Sequence, residues 1–210
     1  MKTLFNNGWN FAELQIESNL MYNEKEPVLL QPESFLSKAE LLKYNKVTLP
    51  HDWMISNTNA LYRNSVGFYK KQFELSEEQI QNKHNAIRFE GVYMNSAVWI
   101  NGNLAGTWKY GYATFEFDIS DLVKVGTNEI LVIAVYQNCN TRWYSGAGIF
   151  RDVHFISTEK TFLVSDGTYI VNKKVDDSDN SNWTTEISAE IAGQIDGHYV
   201  KTTIATKDGK

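Results

Sequence analysis

Cysteine is almost absent from this sequence, because Cys139 is the single one among 210 residues. One cysteine rules out an intramolecular disulfide. The first eight residues also lack a charged start followed by an apolar stretch, which is the pattern of a secretory signal. Since disulfide-free chains are typical of reducing compartments, these absences predict a cytoplasmic location.

Blocks of one charge are missing as well. The net charge of −5 comes from 25 acidic and 20 basic residues interspersed along the chain. Without a cluster of Lys and Arg to neutralise phosphates, neither nucleic acid nor an anionic membrane is expected as a partner. What the sequence does contain is a 42% hydrophobic share, with 13% aromatic residues. That is enough for a continuous core, and flat rings also suit surfaces that stack on sugars.

A complete set of catalytic residues is also lacking. Glycoside cleavage usually needs two carboxyl groups across the scissile bond, but the Asn-Glu pairs at 23–24 and 128–129 fall in a charged loop and at the entry to a buried strand. Ser145 lacks the Gly-x-Ser-x-Gly elbow of serine hydrolases. Four dispersed histidines predict no metal site, and no loop is built to cradle a phosphate-bearing cofactor. We therefore expect no catalytic residue, metal or cofactor in this chain.

Alternation of apolar and polar residues dominates the first 157 positions. Residues 67–75 alternate as a half-buried strand does, and residues 130–136 form a nearly unbroken apolar run that predicts a central strand covered on both faces. Asn101-Gly102 is the pair that favours a type I′ hairpin turn. Further strands are predicted at 86–91, 96–100, 104–108, 112–119 and 153–157.

Helix signals are few. Residues 37–40, SKAE, match a capping box, so a short helix is predicted over 37–44, and residues 76–79 predict one more turn. The sequence GTN at 126–128 predicts a turn that leads into the central strand. Many short strands separated by turns describe an all-β sandwich or barrel.

The pattern changes after residue 157. Strand-like runs at 162–171 and 183–191 flank an acidic stretch at 176–182, which is expected to be a surface loop because no glycine-and-glutamate frame for calcium follows it. About 50 residues lie beyond the boundary, whereas an immunoglobulin-like sandwich needs about 100. We therefore expect a truncated second domain whose sheet edge lacks a neighbour. Such an edge could pair two copies, so a homo-oligomer stays open.

Residues 142–153, RWYSGAGIFRDV, resemble the signature that ends the N-terminal sugar-binding domain of glycoside hydrolase family two. Four other segments resemble parts of the same domain in the same order: NGWNF at 7–11, TLPHDW at 48–53, GFYKKQF at 67–73 and FEGVYMNSAVWING at 89–102. Together they cover nearly all of residues 1–157. The form RWYSGAG is most typical of the family's β-galactosidases.

The resemblance implies an all-β chain with two parts. A jelly-roll, galactose-binding-like β-sandwich over residues 1–157 would be followed by a partial immunoglobulin-like β-sandwich over 158–210. It also implies a longer, retaining glycosidase, whose (β/α)8 barrel carries both catalytic glutamates and is a partner of this part. The chain itself would be non-catalytic, and would help to shape the pocket for a carbohydrate, a terminal β-galactoside.

Three substrate-binding residues follow from the resemblance. Arg142 offers five fixed donors that can hold a pair of sugar hydroxyls or a carboxylate, and Asp52 can accept from two hydroxyls. Asn64 matches a sugar-contacting asparagine of β-galactosidases. The sequence departs from other β-galactosidases at Arg142, where they carry an aspartate. Trp143 and Tyr144 are read equally well as packing or as sugar-stacking residues.

Other interpretations stay open. The longer protein could be a β-glucuronidase or a β-mannosidase. A free-standing carbohydrate-binding module is a second possibility, although such a module should end after its closing strand near Ser157. A third is an interaction domain without a sugar site.

Overall fold

The computed structural model describes residues 1–16, 30–138, 141, 143–175 and 182–205. The chain divides into two compact units, Met1–Ser157 and Thr158–Lys210. The described ranges contain twelve strands, one short α-helix and three 3-10 helices. The predicted all-β class is confirmed.

The strands follow one another along the chain as β1 (Lys2–Leu4), β2 (Trp9–Gln15), β3 (Asn45–Val47), β4 (Ser65–Leu75), β5 (Lys83–Phe89), β6 (Ser96–Ile100), β7 (Asn103–Trp108), β8 (Phe115–Asp118), β9 (Gly126–Tyr136), β10 (Val153–Glu159), β11 (Phe162–Lys174) and β12 (Trp183–Ala192). The α-helix α1 spans Glu77–Gln81, and 3-10 helices span Pro32–Leu41, Met54–Ser56 and Thr58–Ala60.

Two antiparallel sheets form the sandwich of the first unit. One has four strands in the order β1-β10-β5-β8, and the other has six in the order β3-β2-β4-β9-β6-β7. The main core fills the space between them with large buried side chains such as Trp9, Tyr69, Ile87 and Phe89. A second core lies on the outer face of the six-stranded sheet, where Ala39 of the helix Pro32–Leu41 is buried. The six-stranded sheet is therefore covered on both faces.

This double covering explains the apolar run of β9. The strand pairs with β4 on one side and β6 on the other. Its even-numbered residues, such as Val132, belong to the main core, and its odd-numbered residues, such as Ile133, belong to the outer core. Because successive strand residues point to opposite faces, both sets are apolar. The predicted central strand is confirmed.

The predicted hairpin between β6 and β7 is also present. Asn101 and Gly102 have φ values of 51° and 83°, the left-handed conformation that a type I′ turn requires. The Asn101 side chain then reaches back into the sheet, where its Nδ2 donates to the Oδ1 of buried Asn128 at 2.8 Å. The turn is thus fixed by its own side chain as well as by its backbone.

The turn predicted at residues 126–128 is wrong. These residues begin β9 and pair with the end of β4, with Thr127 opposite Glu74. Asn128 is fully buried and accepts from the backbone N–H of Lys124 at 2.8 Å. Its amide therefore fixes the preceding loop from within the strand, and a polar residue that favours turns serves here as a strand residue.

The boundaries predicted for the short helix are corrected too. The 3-10 helix begins at Pro32, five residues before the SKAE motif, so Ser37 lies inside the helix and does not cap it. Proline suits the first turn because its missing N–H has no helical partner there. The capping box that does form joins Ser76 and Gln79 at the start of α1.

The second unit is a hairpin of β11 and β12, which confirms the strands predicted at 162–171 and 183–191. Ile170 lies opposite Ile187 and Leu163 lies opposite Ile191, so two aliphatic pairs join the strands of this ribbon. The loop predicted at 176–182 lies, except for Asn182, outside the described residues. That this unit begins an immunoglobulin-like sandwich stays a prediction.

One lysine is held against the edge of the main core. The Lys71 Nζ donates to the carbonyl of Asn7 at 2.6 Å and lies 3.5 Å from the centre of the Phe5 ring. Burial lowers the pKa of Lys71 to about 8 from its ordinary value of 10.5. The folded chain therefore gives up this proton at a lower pH than the unfolded chain does.

We predict that Lys71 makes the fold more stable as pH rises from 8 to 10.5, because the unfolded chain binds more protons in that window. Urea unfolding at pH 7.5 and 9.5 should show that Lys71→Met removes this increase. The exposed Lys46→Met is the matched control and should keep it. An unchanged pH dependence in Lys71→Met would contradict the prediction.

Candidate functional site

Residues 51–53 (HDW) lie side by side with residues 147–149, in the middle of the RWYSGAGIFRDV segment, in the first unit. The backbone N–H of His51 donates to the carbonyl of Ile149 at 2.8 Å, and that of Trp53 donates to the carbonyl of Ala147 at 3.0 Å. Two segments that are almost a hundred residues apart in sequence thus run as a short irregular ladder. The peptide bond Leu49–Pro50, just before this ladder, is cis.

Gly148 sits at the tightest point of this ladder. It exchanges both backbone hydrogen bonds with Tyr93, each 2.8 Å long. Its φ of 132° is unusual for any residue but glycine, and a Cβ would collide with the carbonyl of His51 and lie 2.6 Å from the Tyr69 hydroxyl. The glycine is therefore required by close packing.

Asp52 ties the two segments together. Its Oδ1 accepts from the backbone N–H groups of Met54 at 2.9 Å and Ala147 at 3.1 Å, and its Oδ2 accepts from the Tyr144 hydroxyl at 2.6 Å. A carboxylate has about four acceptor positions. Three of them are filled by described residues of the protein itself.

Gly146 lies directly against the Asp52 carboxylate. Its φ is 71°, and a Cβ would lie 2.7 Å from Oδ2 of Asp52. A larger residue would push the carboxylate away from the 144–147 segment. The glycine thus permits both the backbone turn and the close approach of the acid.

Trp53 packs behind Asp52 as a core residue. It is 1% exposed, and its Nε1 donates to the Ser65 hydroxyl at 2.9 Å. The ring lies directly over Gly67, where a Cβ would overlap it. Trp53 is therefore a packing residue.

Arg63 fixes the loop between the HDW motif and β4. Its Nε and Nη2 bind the Glu13 carboxylate at 2.6 and 2.9 Å, and the same Nη2 donates to the carbonyl of Trp53 at 3.0 Å. The side chains of Arg63 and Glu13 are only 11% and 21% exposed. Hydrogen bonding to Glu13 raises the pKa of Arg63 further, so the pair stays charged. This ion pair positions Tyr62 at the surface.

Asn64 lies at the start of β4, on the same end of the sheet. Its Oδ1 accepts from the backbone N–H of Asn138 at 2.6 Å, and its carbonyl accepts from Ile16 at 3.1 Å. Asn64 therefore also joins distant segments. Arg142 lies outside the described residues, so its predicted role stays a prediction.

Tyr144, which donates to Asp52, belongs to a group of exposed aromatic residues. Of this group, only Trp143 and Tyr144 are identified from the sequence. Tyr62 and Tyr144 meet edge to face with ring centres 6.4 Å apart, and they are 50% and 37% exposed. Trp143 is 60% exposed, and its Nε1 donates to the Tyr112 hydroxyl at 3.4 Å. Tyr110 lies beyond Tyr112. No periodic pattern marks these tyrosines in the sequence.

The titratable groups around Asp52 hold fixed protonation states. Burial, together with the bond to Asp52, raises the pKa of Tyr144, so its hydroxyl stays protonated and donates. Burial lowers the pKa of His51 against the opposing effect of Asp52. His51 is thus neutral at pH 7, and its Nδ1 lies 2.9 Å from the Tyr69 hydroxyl.

Two features are absent from the described ranges, namely a cluster of metal ligands and a membrane-spanning helix. No three His, Cys, Asp or Glu side chains there are grouped so that they could hold a metal ion. No helix among those residues is long and apolar enough to cross a membrane.

The sequence matches the family described as "Glycosyl hydrolases family 2, sugar binding domain" over residues 3–159. It is 36% identical to a beta-galactosidase of Bacteroides ovatus over 61% of this chain. It is 33% identical to a beta-glucuronidase of Bacteroides fragilis over 62% of this chain. These matches span only 16% and 21% of the two relatives.

A solved structure shares the fold. The beta-glycosidase from Bacteroides vulgatus superposes with a TM-score of 0.68 over 92% of this chain and 24% of its own, at 26% identity. The predicted jelly-roll class is confirmed by this likeness together with the family match. The chain thus spans about a quarter or less of the length of each of these three proteins.

We predict that Tyr144→Phe destabilises the first unit by about 1 kcal/mol, because Asp52 loses a hydrogen-bond donor at a partly exposed site. Tyr62→Phe is the control, since its ring meets Tyr144 but no hydroxyl contact to Asp52 is lost, and it should stay within about 0.5 kcal/mol of the parent. Urea unfolding followed by tryptophan fluorescence measures both. Equal stability of the two variants would show that the bond to Asp52 contributes nothing.

Proposed function

The chain belongs to glycosyl hydrolases family 2, and from this we propose that it is the non-catalytic, sugar-binding part of a longer β-glycosidase. Bond cleavage would be the task of a (β/α)8 barrel elsewhere in that protein. This chain would form one wall of the pocket that receives the terminal sugar. Fold alone does not assign a function, so the proposal depends on the site.

The observation that carries the proposal is a carboxylate held among exposed aromatic rings. Asp52 would accept a further bond from a sugar hydroxyl, and Tyr144, which donates to Asp52, meets the ring of Tyr62 edge to face. Rigid polar groups fix the orientation of a ligand, and flat rings supply contact area. Sugars offer both hydroxyl groups and apolar C–H faces, which is the chemistry that this surface complements.

A terminal β-galactoside is the substrate that we propose. The RWYSGAG sequence is most similar to that of β-galactosidases, and the relative from Bacteroides ovatus carries that name. Asp52 and Asn64 would accept from or orient sugar hydroxyls, and Arg142 would donate to a hydroxyl pair.

A terminal β-glucuronide is the second candidate. Arg142 is the observation in its favour, because a guanidinium binds a carboxylate with two parallel hydrogen bonds. A relative from Bacteroides fragilis is named as a beta-glucuronidase.

We predict that the 210-residue chain by itself does not hydrolyse a chromogenic β-galactoside or β-glucuronide, because in the proposed longer protein both catalytic glutamates belong to the (β/α)8 barrel. The assay compares product release with a buffer blank and with the Asp52→Asn variant purified in the same way. Turnover above the blank that Asp52→Asn abolishes would overturn the non-catalytic assignment.

We predict that Arg142→Ala in the longer protein lowers kcat/KM by about ten- to a hundred-fold, since losing hydrogen bonds to a charged group costs about 1.5–3 kcal/mol. Measuring both sugars separates the two candidates. A galactosidase should lose efficiency on the galactoside, and a glucuronidase should lose more on the glucuronide. Unchanged kinetics on both would show that Arg142 does not contact the substrate.

A further inference from the structure

Three aromatic residues form a strip, namely the exposed Tyr110 and Trp143 and the half-buried Tyr112 between them. Tyr110 is 63% exposed and Trp143 is 60% exposed. The Trp143 Nε1 donates to the Tyr112 hydroxyl at 3.4 Å, and the Tyr110 and Tyr112 ring centres are 5.9 Å apart. Single exposed apolar residues are ordinary on protein surfaces. A connected group of them marks a binding surface.

The strip is supported from beneath. The Tyr112 ring lies 5.1 Å from that of Tyr93 and 5.9 Å from that of Phe150. The Arg151 Nη1 donates to the carbonyl of Tyr112 at 3.1 Å. A Cβ at Gly111 would overlap the buried Tyr93 ring, so the backbone here lies directly on the core.

Trp143 is anchored in the same way. The Thr141 hydroxyl donates to its carbonyl at 2.7 Å, and its indole N–H is bound to Tyr112. Exposed rings whose positions are already fixed lose little conformational entropy when a ligand covers them. The strip is therefore preorganised for binding.

The chemistry of the strip favours a carbohydrate. Its members are tyrosine and tryptophan, which join a flat apolar face to a polar edge. The hairpin of the second unit differs from the strip in composition, because its apolar pairs include the aliphatic residues Leu163, Ile170 and Ile191. Aliphatic faces suit packing against protein, whereas flat amphipathic rings can stack on the C–H face of a sugar while its hydroxyls stay hydrogen-bonded at the ring edge.

We propose that this strip binds a second sugar unit, so that the substrate is an oligosaccharide or polysaccharide whose terminal sugar lies at Asp52. The inference rests on the proposed function of the Asp52 site. The strip adjoins the Asp52 site along the chain, because Tyr144, which donates to Asp52, follows Trp143 directly. The strip would then select for the part of the substrate beyond the scissile sugar.

The test uses the whole 210-residue chain, galactose and β-1,4-galactotetraose as ligands, and the tryptophan indole N–H signals in an NMR titration. We expect the tetrasaccharide to bind about tenfold more tightly than galactose, because its second sugar covers the strip, and tenfold corresponds to about 1.4 kcal/mol. Trp143→Ala should abolish this advantage and leave galactose binding unchanged. Trp143→Tyr keeps a flat ring and should restore most of it.

Trp183→Ala is the matched control, because Trp183 is 61% exposed and lies in the second unit. It should keep the tetrasaccharide advantage. If the tetrasaccharide binds no better than galactose, or if Trp143→Ala retains the advantage, the strip is not a sugar subsite and the proposed function is unaffected. If neither ligand binds to the parent chain, the proposed function fails and the subsite fails with it.

Discussion

The arrangement of the candidate site depends on the hydrogen bonds that the Asp52 carboxylate accepts. It accepts from the backbone of its own turn and from Tyr144 and Ala147, which lie 92 and 95 residues further along the chain. Neither segment there is part of a regular sheet ladder, so its polar backbone groups need other partners. The Asp52 side chain supplies them for Met54 and Ala147, in addition to the backbone bonds between the two segments.

The six-stranded sheet brings the other site residues to the same place. β4 and β9 pair over their whole length, from Ser65 opposite Tyr136 to Leu75 opposite Gly126. The residues just outside this ladder, Asn64 and Asn138, must therefore meet at one end of the sheet, and they share a 2.6 Å hydrogen bond. Because the sheet is covered on both faces, its end is a rigid base for the loops that form the surface.

Local patterns predicted the parts of the fold that obey local rules. The apolar run of β9 and the Asn101-Gly102 turn needed only strand geometry and the left-handed preference of two residues. The role of Asn128 could not be predicted, because its amide is also held by Asn101, 27 residues earlier, which only the folded sheet brings near. The three bonds to Asp52 were hidden for the same reason. The sequence identified the acid as a hydroxyl acceptor, but its protein donors lie up to 95 residues away.

The Asp52 carboxylate and the exposed aromatic residues near it are tied to the fold to different degrees. Asp52 accepts mainly from backbone N–H groups, so its geometry belongs to the fold itself. Tyr62, Trp143 and Tyr110 are largely exposed, and exposed residues can change without loss of the sandwich. We propose that differences in substrate among family members lie in these exposed residues, while the carboxylate stays a structural requirement.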